Sequence, residues 1–371
     1  MERKLATIRR IDKLEPIEGA DKILKATIGG WQLVTAKDNG FKEGDLVVYL
    51  EVDSWVPHEL APFLSKGKEP REFNGVKGER LRTIKLRGQI SQGLILPLDV
   101  LSIKTDSGDY LGSWEDGYDV TELLGIQKWE KPIPTQLQGV CRSNFPSICP
   151  KTDQERIQNL SRELDQWIAD GTQWEITEKL EGSSMTVLAD TFEDSEYNQT
   201  IVDVHVCSRN MDLKLDQEGN AFVDTAKKTG LIDAVTRYVG LGFGRIAVQG
   251  ELVGPGIQGN IYKLPELRFF VYDIWDIERQ EYFDVEHRHK IVDTLKKLGA
   301  AIDHVPVLAY SAELWDTLGL KSVSDVLGFA EGKSVLGDIT GPEREGLVFK
   351  SYNGTKSFKA ISNKYLLGEK E

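Results

Sequence analysis

Short apolar runs broken by glycine fill the first third of the chain. Ala26-Thr27-Ile28, Trp31-Gln32-Leu33-Val34-Thr35, Leu46-Val47-Val48-Tyr49-Leu50 and Arg80-Leu81-Arg82-Thr83-Ile84-Lys85-Leu86 are separated by Gly29-Gly30, by the stretch Gly40 through Gly44, and by Gly75 with Gly78. Closely spaced strands with glycine turns predict a small β-barrel rather than a helical module. Alternation puts Arg82, Ile84 and Leu86 on one face of the last run and Thr83, Lys85 and Arg87 on the other. After about residue 140 the pattern changes. Helical spacing predicts helices over 157–169, 224–239 and 285–298, the last with Ile291, Leu295 and Leu298 at core spacing, and 319–332 is a candidate fourth. Extended apolar runs such as Ile246-Ala247-Val248 outnumber them, so the second half is expected to be α+β, with antiparallel sheets flanking a cleft.

A chain of 371 residues is long for one core and suggests two domains. Lys131-Pro132-Ile133-Pro134 is too proline-rich to continue a strand or helix, which predicts a domain over 1–128, a linker over 129–139 and a second domain over 140–371. The net charge of −13 is unevenly spread: residues 1–100 hold 17 basic against 15 acidic side chains, and the remainder 29 against 44. Lys66, Lys68, Arg71, Lys77, Arg80, Arg82, Lys85 and Arg87 face only Glu69, Glu72 and Glu79. Such a cluster is either a solvated face or a phosphate-contacting surface, and the clustering favours the second. Cys141, Cys149 and Cys207 are odd in number and lack metal-ligand spacing, which speaks for a reducing compartment and against a disulfide framework or structural zinc. No apolar run has leader character or membrane-spanning length, so a soluble, cytoplasmic protein is expected. His205, His287, His289 and His304 show no ligand spacing with a third residue and are read as surface or core histidines.

The chemistry concentrates at Glu178-Lys179-Leu180-Glu181-Gly182. Extended residues on both sides, Trp174 to Thr177 and Thr186 to Leu188, place Lys179 at a bend where two strands meet, and Gly182 leaves room for a phosphate. A free lysine amine has a pKa of about 10.4, so only ~0.04% is nucleophilic at pH 7; full availability corresponds to roughly 4–5 kcal/mol. Neighbouring cations and partial burial supply such a shift, with Lys359, Arg209 and a divalent metal as candidates. Downstream stand Ser208-Arg209-Asn210, Gly250-Glu251-Leu252-Val253-Gly254, Phe269-Phe270-Val271-Tyr272-Asp273-Ile274, and Glu345-Gly346-Leu347-Val348-Phe349-Lys350 followed by Ser357-Phe358-Lys359. In this order they resemble the motifs of the covalent nucleotidyltransferases, the polynucleotide ligases and mRNA capping enzymes, over roughly residues 140–365. The first segment, especially Ala20-Asp21-Lys22-Ile23 and Leu86 through Gly93, resembles an OB-fold of the type found in tRNA-binding modules. Here it precedes the transferase motifs, and only 12 residues follow Lys359. That order, with Lys151-Thr152-Asp153-Gln154-Glu155-Arg156-Ile157-Gln158-Asn159, is most similar to the Deinococcus-type ATP-dependent RNA ligases over essentially the full chain.

The resemblance implies an N-terminal OB-fold barrel joined to a ligase-type domain of antiparallel sheets with flanking helices. It implies that Lys179 attacks the α-phosphorus of ATP, that AMP passes to a 5′-phosphate RNA end, and that a 3′-OH then seals a nick in a duplex. Glu251 and Glu345 would hold Mg²⁺ or Mn²⁺. Lys359 would touch the α-phosphate, Arg209 a phosphate of ATP or of the acceptor strand, and Glu181 the ribose or the metal. Glu178, Arg156 and Lys356 join the ATP site, and Phe269 stacks on adenine, with Phe270 on the other face as the alternative and core packing as the plainer role. Two departures stand out: Glu181 occupies a place where many ligases have Asp, and Ser357 replaces the first of two lysines, leaving Lys356 nearby at another phase. Arg80, Arg82, Lys85 and Arg87 would contact RNA. Without the resemblance, Thr152 or Asp153 is simply the cap of the helix over 157–169. The competing functions are a GTP-using capping-type transferase and a non-catalytic RNA-binding protein on the same fold. No obligate protein partner is expected.

Overall fold

The computed structural model describes residues 4–104, 114–129, 140–194, 199–216, 218–336 and 341–368. The chain forms two units, Met1–Pro132 with Gln158–Ser161, and Ile133–Ile157 with Arg162–Glu371. The proline-rich Lys131–Pro134 stretch lies outside the described residues.

In the first unit the strand Leu46–Leu50 pairs antiparallel with Ala6–Arg10 and Leu94–Leu96. Both its faces are covered: Val48 and Leu50 pack with Ala6, Ile8 and Leu96, whereas Val47 and Tyr49 pack with Ile28, Trp31 and Leu33. A strand buried on two sides reads as an unbroken apolar run, which is what this one does. The run Arg80–Leu86 is not a single strand. Val76–Arg80 ends where Leu81 turns inward and donates its N–H to Ser54, and Ile84–Leu86 opens a separate hairpin with Gln89–Ser91. Arg87 and Gly88 take positive φ at its tip, the geometry of a tight hairpin turn. Arg82 therefore does not share a strand face with Ile84 and Leu86.

The second unit is α+β. Its larger sheet carries Ser183–Asp194, Ile246–Val253 and Arg268–Asp276 as antiparallel neighbours. Met185, Val187, Val248, Leu252, Phe269 and Val271 point to one side, where they meet the helices Leu231–Gly240 and Val285–Lys297. A second sheet runs Glu155–Arg156, Ser357–Ile361, Gly346–Ser351, Gln173–Lys179, Val307–Glu313. Its outer face is aromatic: Trp167 of the helix Ser161–Ala169 stacks on Phe358, with Trp174 and Phe349 beside it. Between the two sheets lies a buried charged layer. Lys350 pairs with Asp273 at 2.7 Å, and Arg288 binds Glu175 and donates to His304 Nε2 at 3.1 Å. Breaking one such pair from one side costs about 3–5 kcal/mol.

Two predicted helices differ. The helix expected from Ile157 starts at Ser161, because Glu155–Arg156 are recruited as a parallel strand by Ser357–Ile361; neither Thr152 nor Asp153 caps it. The helix expected over 224–239 is two, Ala221–Lys228 and Leu231–Gly240, broken at Gly230 with φ 68°.

Candidate active site

Register places the charged residues. In the second sheet Lys179 is opposite Gly346, so Glu345 falls beside it, and Lys179 Nζ donates to Glu345 Oε1 at 2.5 Å. Arg156, Lys359, Val348 and Thr177 form one row across four strands, and Lys179 stands two residues beyond Thr177 on the same face. In the larger sheet Ser184 is opposite Glu251 and Glu251 opposite Phe270. Glu251 thus emerges on the side away from the helices and accepts from the Gly182 N–H. Gly182 does not serve the phosphate approach that its position suggests: a Cβ there would lie 2.4 Å from Leu252 O and 2.8 Å from Glu251 Cγ. The close approach is that of the neighbouring strand.

The electrostatics correct the expected state of Lys179. Burial lowers its pKa, and Arg209 acts in the same direction, but Glu345 and Glu251 outweigh both and hold the amine above its ordinary value. Lys179 is therefore an ammonium whose side chain is mostly buried. Burial pushes Glu251 up to about 8, opposed by Lys179 and reinforced by Glu345. Two carboxyl groups crowd one ammonium, and Glu251 holds its proton up to about 8, which marks a site short of positive charge.

A second cluster holds Lys359 and Arg209. Asp153 Oδ1 accepts from Lys359 Nζ at 2.5 Å, and Asp153 Oδ2 lies 3.9 Å from Arg209 Nη2. Arg156, in register with Lys359, is buried. Glu181 donates its backbone N–H to the Tyr262 hydroxyl at 2.6 Å.

Several expected residues go elsewhere. Glu178, one residue from Lys179, faces the other way; its Oε2 accepts from Val335 N at 2.8 Å and burial raises its pKa, so it braces the strand from behind. Lys356 reaches Thr172 at 3.3 Å and Asp170 at 3.6 Å on the Trp167 side, away from Lys359. Phe269 is packed in the helix-side core, whereas Phe270 is on the Glu251 side with Leu180 and Tyr262. Arg80 is bound to Asp53 at 2.6 Å and lies over the Trp129 ring at 4.0 Å, an internal brace. Lys85 and Arg87 are exposed on the hairpin, and Arg82 is half-buried. Lys77 and Arg71 are paired with Glu69 and Glu79.

Sequence reasoning missed Asp153, which read as a helix cap, and Tyr272 and Lys350, quoted within motifs but given no role. It also dismissed His289 and His304. Their rings stack at 4.1 Å, and with Glu175 they bring three ligand-type atoms within 4.8 Å of one another. Arg288 already occupies Glu175 and His304 by hydrogen bonds, and His289 Nε2 is paired with Glu175 Oε2. Glu175 stays at about 2 although burial alone would raise it, because His289, Arg288 and His304 favour its charge; burial and Arg288 push His304 down to about 3. The three cysteines are free, and among the described residues no helix is long and apolar enough to cross a membrane.

Two family models match the chain: an OB-fold domain over residues 5–98 and an RNA ligase over residues 172–365. Curated protein sequences give no match. Solved structures of a Naegleria gruberi RNA ligase are similar throughout. A variant with ATP and manganese and the protein with pyrophosphate each share 39% identity, with 98% of both chains covered and a TM-score of 0.81. A variant with AMP and manganese has the same identity and coverage at a TM-score of 0.82.

Proposed function

The chain belongs to the RNA ligase family, and on that premise we propose that it uses ATP to join a 3′-OH to a 5′-phosphate at nicks in duplex RNA, with Lys179 as the nucleophile. The observation that carries this is the Lys179–Glu345 contact at 2.5 Å, on the sheet face that also bears Lys359 and Arg156. Lys179 Nζ loses a proton, for which Glu345 Oε1 is at hydrogen-bond distance, and its lone pair forms a bond to the α-phosphorus of ATP. The bond from that phosphorus to the bridging oxygen breaks, and its electron pair leaves with pyrophosphate. An oxygen of the RNA 5′-phosphate then bonds to the AMP phosphorus, the phosphorus–nitrogen bond breaks, and Lys179 Nζ leaves with its electron pair and takes up a proton. Last, the 3′-OH gives its proton to solvent as its oxygen bonds to the 5′-phosphorus, and the bond from that phosphorus to AMP breaks, its electron pair leaving with AMP.

Positioning and charge neutralisation dominate such transfers. Lys359 and Arg209 supply cations for the α-phosphate and its neighbours, and buried Arg156 supports the same end of the sheet. Glu181, in the turn that follows Lys179, is the residue we assign to the ribose hydroxyls. Phe270, rather than Phe269, is on the Glu251 side of its sheet and is the ring we assign to adenine. Glu251 and Glu345 fit a hard divalent cation such as Mg²⁺ or Mn²⁺: two carboxylate donors converge, and their repulsion helps push Glu251 to about 8. When bound, such a cation offsets the carboxylates that keep Lys179 protonated and screens phosphate charge. On the barrel, Lys85 and Arg87 are the cations offered to RNA. Free cysteines suit a reducing, cytoplasmic setting.

The test is incubation with α-labelled ATP and manganese, followed by denaturing electrophoresis. Wild type should carry a label that pyrophosphate discharges, and Lys179→Ala should carry none. Labelling of Lys179→Ala, or no label on wild type, would end this proposal. Faster sealing of a nicked RNA duplex than of single strands checks the substrate.

A further inference from the structure

Residues 151–153 are anchored one after another. Lys151 Nζ donates to Asn210 Oδ1 at 2.9 Å. Thr152 Oγ1 lies 2.8 Å from the Tyr272 hydroxyl, which is itself 2.9 Å from Ser184 Oγ. Asp153 then divides its carboxylate between two cations, Oδ1 at 2.5 Å from Lys359 Nζ and Oδ2 at 3.9 Å from Arg209 Nη2. Two residues on, Glu155–Arg156 join the sheet beside Phe358 and Lys359. Pinned on both sides, the carboxylate has little freedom to follow the cations; they must come to it.

Two cations that converge on one point repel each other, and a fixed anion between them removes that repulsion. Lys359 is only 11% exposed and Asp153 only 23%, so this charge-assisted bond is weakly screened. A phosphate that enters must share the two cations with a carboxylate already in place. We propose that Asp153 is the positioning residue of this cation pair: it aims Lys359 and Arg209 at one phosphate position and limits how tightly they hold pyrophosphate. The inference rests on the reading that Lys359 and Arg209 receive phosphate.

Asp153→Asn keeps size and one oxygen acceptor but removes the charge. It should slow single-turnover labelling of Lys179 by at least about tenfold, since the cations are less well aimed. The KM for ATP should stay level or fall, and pyrophosphate should inhibit at a concentration lower by about tenfold. Damage to the fold would instead raise KM as the rate falls. Asp153→Glu, which restores the charge, should return pyrophosphate inhibition toward wild type. A wild-type rate in Asp153→Asn, a raised KM, or unchanged pyrophosphate inhibition overturns the proposal. Lys359→Met separates the two levels. If it labels normally and is inhibited normally, the phosphate role of Lys359 fails; if it loses labelling while Asp153→Asn is silent, only the role of Asp153 fails.

Discussion

Gly182 offers a test of how tightly the site is built. It lies in the turn between Gln173–Lys179 and Ser183–Asp194, and its φ is not left-handed, so the effect of a side chain there is steric. A Cβ would meet Leu252 O at 2.4 Å, Val253 Cγ1 at 2.7 Å and Glu251 Cγ at 2.8 Å. Carbon contacts rest near 3.5–4.0 Å, so alanine demands about 1 Å of extra separation from a backbone carbonyl inside a sheet. Either Ile246–Val253 moves and carries Glu251, or the turn moves and carries Lys179 to Glu181. Gly182→Ala should therefore cost about 1–3 kcal/mol of stability by overpacking. It should also slow adenylylation about 100-fold, the usual consequence of a 1 Å misplacement of reacting groups. Chemical denaturation measures the first, and single-turnover labelling with α-labelled ATP the second. Gly240→Ala, where a Cβ meets nothing within 4 Å, is the control and should leave the rate unchanged. A Gly182→Ala enzyme that labels within about threefold of wild type would refute the claim that strand spacing sets the Lys179–Glu251 geometry.

Glu175→Gln leaves buried Arg288 with only the more distant carboxylate of Asp273, at 3.8 Å. Holding Glu175 at about 2 instead of 4.5 contributes about 3 kcal/mol. Because the folded-state value is depressed, the gap between wild type and variant should be full above about pH 4.5 and close as pH falls toward 2, read by urea unfolding at several pH values. A gap independent of pH would contradict the buried network. Phe269→Ala should destabilise by about 3–5 kcal/mol as a core deletion while leaving the KM for ATP of the folded enzyme unchanged; a raised KM would restore Phe269 to the adenine site. Replacing Lys85 and Arg87 together by Ala should reduce the slope of log affinity against log salt for duplex RNA by about 2, measured by titration at several salt concentrations; an unaltered slope removes the hairpin from the RNA surface.

The elements legible in the sequence were those set by local chemistry. Apolar runs bounded by glycine turns marked Leu46–Leu50 and extended residues marked the lysine strand, and Asp284 caps the helix Val285–Lys297 as such residues do. The broken helix at Gly230 was within reach too, since a glycine stood in the middle of the pattern. Lys179, Glu251, Glu345, Lys359 and Arg209 were singled out from ordered motifs; the structure groups Lys179 with Glu345, Glu251 and Arg209, and Asp153 links Arg209 to Lys359. Pairing between distant segments decided the rest. Glu155–Arg156 have no strand pattern of their own and became a strand because Ser357–Ile361 offered an edge about 200 residues away in the chain. Which face Glu178, Lys356, Phe269 and Phe270 occupy followed from register, where a shift of one residue exchanges inside for outside. Asp153 acquired its two cations, and Glu175 its arginine and histidines, only through that packing. Local sequence determined which residues could form strands, turns and a nucleophile. Charge states and partners were decided by tertiary structure, because a pKa or a salt bridge depends on distances and burial that no short stretch of sequence contains.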